Sequence, residues 1–151
     1  GIDLLGRKVL AEQGAGLRLF VDTVRQDAGR ASEAGLGDEA AALCAALDRL
    51  VEVSAGLAAL QRSEPDLGLA NATLYLDAFG RVTLAWIWLL QGRAAARALP
   101  AASGEAADHY RGKLQAMRYF FQWELPQTHA QWALLARADR CAYDMRDAWF
   151  I

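Results

Sequence analysis

From residue 40 to residue 57 the sequence places an apolar or small side chain in alternating steps of three and four: Ala40, Leu43, Leu47, Leu50, Ser54, Leu57. That spacing keeps one stripe of an α-helix apolar over about five turns. It is the seam of a helix packed nearly antiparallel to its neighbours. A chain with such a seam has to supply other helices to cover it. Composition agrees, since 54% of the residues are apolar, alanine supplies much of that fraction, and prolines number three. Alanine favours helix, and runs of β-branched residues that would favour sheet are few.

Period and punctuation predict the remaining segments. The first runs from about Asp3 to Gln13, with Leu4, Leu5 and Val9 on one face. Gly14 and Gly16 weaken helix by about 1 kcal/mol each, so the chain kinks or restarts there. Leu17 to Ala31 follows, carrying Leu17, Phe20, Val21, Val24 and Ala28; the two stretches also read as one long bent helix. Ser32 to Gly37 reads as a loop, with Asp38 as N-cap of the seam helix, Glu39 to Arg62. Ser63 to Asp66 breaks the chain. Leu67 to Leu99 is the longest and most apolar stretch, with Leu76, Phe79, Thr83, Trp86 and Leu90 as its stripe. Tyr75, Leu84 and Trp88 fall on its other faces, so this helix is central or meets a second partner. Pro100 to Gly104 is a loop. Glu105 to Leu125 follows with Tyr110, Leu114, Met117 and Phe121, and Pro126 ends or kinks it. Thr128 caps a last helix, His129 to about Ala138. Asp139 to Ile151 mixes charge with Tyr143, Trp149 and Phe150 and yields no assignment. The expected fold is all-α, an antiparallel four- to five-helix bundle.

The chain has 151 residues, about one domain, with a net charge of −2. No basic stripe is interleaved with aromatics, which excludes the usual nucleic-acid footprint. The most apolar run, Val82 to Leu90, is far shorter than the ~20 residues that span a bilayer. Asp3, Arg7 and Lys8 interrupt any signal peptide, so the expected location is cytoplasmic. Cys44 and Cys141 read as free buried thiols rather than as a disulfide. Gly1 as first residue, with Met117 the first methionine, fits a piece of a longer protein.

Catalytic motifs are missing. A di-iron bundle needs Glu-x-x-His pairs on two helices; Glu105, Asp108 and His109 have the wrong spacing, and His129 stands alone. There is no Gly-x-Ser-x-Gly, and Gly14-Ala15-Gly16 follows a helix rather than a strand, unlike a dinucleotide loop. No catalytic, cofactor-binding or metal residue is assigned. Asp77 and Arg81 read as an exposed helical ion pair, or as one partly buried at an interface. Trp86, Trp88 and Trp123 read as core aromatics. Because Trp86 and Trp88 are two apart, one of them must meet another helix layer, a partner domain or a ligand.

Two stretches resemble a known family. Tyr75-Leu76-Asp77-Ala78-Phe79-Gly80-Arg81-Val82-Thr83-Leu84-Ala85-Trp86 carries a Gly-x-Val-x-x-x-Trp pattern, and Lys113-Leu114-Gln115-Ala116-Met117-Arg118 precedes aromatics that close with Leu125-Pro126. Both are similar to the C-terminal helical accessory domain of bacterial acyl-CoA dehydrogenases, and Ile2 to Val9 resembles the segment these enzymes carry a few residues after a Tyr-Glu-Gly-Thr motif. Met117 stands where that family often has alanine. The resemblance implies a parent that oxidises the Cα–Cβ bond of an acyl-CoA with FAD. It also implies that the Tyr-Glu-Gly-Thr motif holding the catalytic base is absent here, so this segment itself is not a catalyst. The implied division is 1–16 as the end of the dehydrogenase core helix and linker, 17–138 as the bundle, and 139–151 as a tail. The implied partner is the chain's own catalytic domain, in a homo-oligomeric parent. The implied role is structural: docking, joining subunits or covering an acyl pocket, with the all-round apolar helix and the Trp86/Trp88 pair as the docking surface. Two alternatives stay open: a stand-alone helical interaction module, and an acyl-chain-binding bundle with Asp77, Thr83 and Tyr110 as polar candidates.

Overall fold

A computed structural model describes residues 1–9 and 11–150. Among the described residues there is no strand, as expected of an all-α chain. Six α-helices follow one another: α1 (Ala15–Glu33), α2 (Gly37–Ser63), α3 (Pro65–Ala70), α4 (Ala72–Ala98), α5 (Gly104–Tyr119) and α6 (Thr128–Ala136). A π-helical segment, Leu4–Val9, precedes them. Contacts set the directions. Phe20 meets Phe79 and Asp27 meets Trp86, so α1 and α4 run parallel. Ser54 meets Tyr75 on the opposite course, so α2 is antiparallel to both. Arg81 meets Glu124 and Lys113 meets Gln91, which makes α5 antiparallel to α4. A π-turn, Phe120–Glu124, and a 3-10 turn, Leu125–Gln127, carry α5 into α6. The last strut is thus one bent column, and the fold is an up-down-up-down bundle.

Helix α4 lies against α1, α2, α5 and α6. This explains why it is apolar nearly all round: four neighbours cover most of its circumference. Its buried stripe is Ala72, Tyr75, Ala78, Val82, Ala85, Leu89, Gly92 and Ala95. The stripe expected from Leu76, Phe79, Thr83, Trp86 and Leu90 is therefore displaced by one position, and Leu76 is 45% exposed while Tyr75 is fully buried. Large side chains do not mark the centre of this helix. Small ones do, because they let the neighbouring backbones come close. A side-chain carbon at Gly92 would meet the Met117 sulfur, and Met117 is wholly buried. The bulk of Met117 and the emptiness of Gly92 are one packing solution.

On α2 every seam residue, Ala40, Leu43, Leu47, Leu50, Ser54 and Leu57, is buried as expected. The loop before it is shorter than Ser32–Gly37. Gly35, at φ 85, donates to the Ser32 carbonyl, and Leu36 donates to that of Ala31. This paired closure needs a left-handed residue, and α1 ends at Glu33, two residues later than the sequence suggests. Asp38 is not the N-cap; Leu36 holds that place, and Asp38 sits in the first turn. There its charge favours the positive helix end without a capping bond. The expected single helix Leu67–Leu99 is two, separated at Asn71, whose amide is used instead to hold the Asp139 carbonyl. Pro65 starts α3 because its fixed φ suits a first helical turn. Thr128 likewise does not cap α6; it is buried, and its hydroxyl donates to the Leu125 carbonyl. The kink after Ala11 falls where the glycines suggest, but Glu12 and Gln13 adopt the left-handed conformation along with Gly14. Leu5 and Val9 of the first segment are buried in the same core as the bundle.

Replacing Gly92 by alanine is expected to lower unfolding free energy by about 1–3 kcal/mol through overpacking, although alanine favours helix. Urea denaturation checks this. The Gly92→Ala/Met117→Ala pair should lose less than the sum of its single variants, because the two side chains compete for one space.

Candidate functional site

The long apolar helix keeps one strip uncovered. Leu76, Leu84 and Ile87 are 45%, 48% and 41% exposed on α4. Beside them a groove of about 610 Å³ is lined by Leu76, Gly80, Leu84 and Phe120 and bracketed by Asp77, Arg81 and Glu124. The π-turn Phe120–Glu124 supplies its far wall through Phe120 and Glu124. Widened turns of this kind recur at functional positions.

The bracket is an ion network. Arg81 lies 3.4 Å from Asp77 and 2.7 Å from Glu124 across the helix pair. Gln127 donates to Glu124 at 3.2 Å, and Gln131 donates to Asp77. Of the two readings of Asp77 and Arg81, the interface one holds for Arg81, which is only 24% exposed, while Asp77 is 53% exposed. Bonding to two carboxylates fixes the guanidinium at the groove's edge, and each exposed pair adds at most about 1 kcal/mol.

The tryptophans go to different layers. Trp86 turns to α1, edge-on to Phe20 at 5.8 Å, and donates to Asp27 at 3.0 Å. Trp88 turns to α5, where the Lys113 ammonium lies 5.7 Å from its ring centre. Each is half-buried and ties α4 to a different neighbour, so the two meet separate layers as their spacing of two residues requires. Trp123 is not core either; it is 64% exposed and stacks on Tyr119. Asp77, Thr83 and Tyr110 are engaged separately. Thr83 donates to the Phe79 carbonyl, Tyr110 lies against His109, and Asp77 belongs to the ion network. Cys44 is half-buried and Cys141 is exposed, both free, so Cys141 departs from the expected burial. Among the described residues no three His, Cys, Asp or Glu side chains are grouped to hold a metal, and no helix is long and apolar enough to cross a membrane.

Two polar arrangements, one part-buried and one buried, escaped the sequence reading. Asp27 takes the Trp86 indole and lies 3.2 Å from Arg30 and 3.6 Å from Arg93. Ser54 donates to the Leu50 carbonyl at 2.6 Å and so accepts from the Tyr75 phenol at 2.6 Å. The one available signal was Ser54 itself, a hydroxyl on an otherwise apolar seam, which requires a buried partner. Burial pushes the Tyr75 phenol from 10.0 up to about 12, and the Ser54 bond partly opposes this.

The most basic groove does not suit the pyrophosphate of a flavin nucleotide. Arg30, Arg93 and Arg97 share a groove that a pyrophosphate would need, but Glu33 lines it too. Asp27 already neutralises part of the charge. The groove also lies at the C-terminal ends of α1 and α4, whose carbonyls repel anions.

The raised Tyr75 value predicts a pH effect. The fold holds the neutral phenol, so this stability is complete below pH 10 and is lost as pH rises towards about 12. The two-unit difference amounts to about 3 kcal/mol. Urea unfolding at pH 9 and pH 11.5 should show a fall that Tyr75→Phe largely removes.

A family model described as acetyl-CoA dehydrogenase C-terminal like matches residues 20–146. No curated protein matches the chain.

Proposed function

The chain belongs to the acetyl-CoA dehydrogenase C-terminal-like family, and from that premise we propose that it is the docking domain of a flavin-dependent acyl-CoA dehydrogenase. In this reading FAD and the base that takes the α-proton belong to the catalytic domain. The bundle's task is to bind that domain through the uncovered strip of α4. The carrying observation is the line of Leu76, Leu84 and Ile87, nearly half exposed on the helix that is otherwise the centre of the core. Exposed apolar side chains that share a rim of fixed charges suit a partner surface better than solvent. Geometry supports the same choice. Gly1 lies against the Ala72–Thr73 backbone, so polypeptide preceding residue 1 would leave the bundle beside Thr73 and Leu76. A catalytic domain connected there reaches the strip without a long linker.

The reading is tested on the native gene product that carries this chain. Its visible spectrum should show flavin bands that bleach when the preferred acyl-CoA is added. Leu84→Glu/Ile87→Glu should keep the flavin but release the bundle to limited proteolysis, because burying each of those side chains contributes about 1.5–3 kcal/mol at most and a buried unpaired carboxylate costs more. A colourless product no longer than this chain would sink the reading.

A further inference from the structure

The uncovered strip of α4 has a period of its own. Thr73, Asp77, Gly80, Leu84 and Ile87 follow one another in alternating steps of four and three. That spacing keeps one line of a helix facing a second helix that crosses it at a shallow angle. A strand repeats every two residues and cannot follow such a line. Thr73, Asp77, Gly80 and Leu84 line the groove beside α4, and Ile87 continues the line as an exposed side chain. Gly80 stands at the centre. A glycine inside a helix costs about 1 kcal/mol relative to alanine. Here the missing side chain leaves open space, since a β-carbon at Gly80 would meet nothing within 4 Å among the described residues. Further along the same helix, the equivalent space above Gly92 is filled by Met117 of α5. The gap at Gly80 has the same form and lacks its knob.

The groove is also charged unevenly. Among the described residues Asp77 and Glu124 line it against Arg81 alone, and Arg81 is shared between the two carboxylates. Their other partners, Gln127 and Gln131, are neutral. One negative charge is therefore left over at the rim. A partner that covered it without bringing a cation would desolvate an unmatched carboxylate, whereas one that brings a cation gains an ion pair and a fixed register.

We propose that the occupant of this groove is a helix of the parent's catalytic domain, laid along α4 from Thr73 to Ile87, which seats a large apolar side chain over Gly80 and brings a lysine or arginine to Asp77 and Glu124. The proposal rests on the docking reading and adds to it the kind of element that docks, its register and its charge.

Hydroxyl-radical footprinting of the native gene product, read by mass spectrometry, tests the two apart. Leu84→Glu disrupts any docking on the strip and should raise oxidation of Ile87 together with that of one segment outside the bundle. That segment should repeat its apolar residues every three or four positions and carry a lysine or arginine among them. Gly80→Leu fills the gap and Asp77→Lys reverses the free charge. Each should loosen docking about tenfold and raise oxidation of Ile87 and of the same segment. Gly29→Leu, at an exposed and equally open glycine of α1, should leave both unchanged. The substituted positions are open or exposed, so the fold is retained, which circular dichroism checks. An effective Leu84→Glu with either Gly80→Leu or Asp77→Lys silent would overturn the proposal and leave docking in place. So would a segment whose apolar residues alternate as in a strand. If Leu84→Glu uncovers nothing, the docking reading itself fails, and this proposal with it.

Discussion

Four helices can close on one only if the central helix is slim where its neighbours cross it. Helix α4 meets that condition with Ala78, Ala85 and Gly92, seven residues apart and all buried. The spacing of seven returns each small residue to the same face, two turns on. Met117 from α5 fills the space above Gly92. On the adjoining faces Trp86 and Trp88 reach outward to α1 and α5. Large residues thus serve as spacers between layers, and small ones mark where layers touch.

Buried polarity then specifies how the helices are aligned. Asp27 with Trp86 ties α1 to α4, and Ser54 with Tyr75 ties α2 to α4. Sliding either helix by one residue would leave a donor or acceptor unpaired in an apolar setting, which costs more than the bond contributes when made. Apolar contacts alone tolerate such slips, since one leucine substitutes for another with little loss. Arg81 adds a third tie, holding the α5 column at its bend through Glu124.

That bend connects packing to the proposed role. The π-turn at Phe120–Glu124 and the proline at 126 divert the column, and α6 then returns to pack Trp132 and Leu135 into the core. The uncovered strip lies beside that bend. That open surface lies where a helix departs from regular geometry.

How much of this is legible in the sequence follows the same division. Period and punctuation determine that the chain is a helical bundle, which residues of α2 face inward, and that the helix around Val82 is central. These properties depend on local spacing, and a helix imposes its period on any sequence that forms it. The Gly-x-Val-x-x-x-Trp and Lys-Leu patterns likewise carry the family resemblance in one dimension. Tertiary structure alone decided which face of α4 is the core, because a helix apolar on all sides has no period from which to choose. It also decided that Asn71 serves the Asp139 carbonyl rather than continuing a helix, that Trp86 turns to α1 and Trp88 to α5, and where the groove beside α4 opens. Each of these depends on a neighbour distant in sequence, and the free energy that selects it exists only once the helices have met.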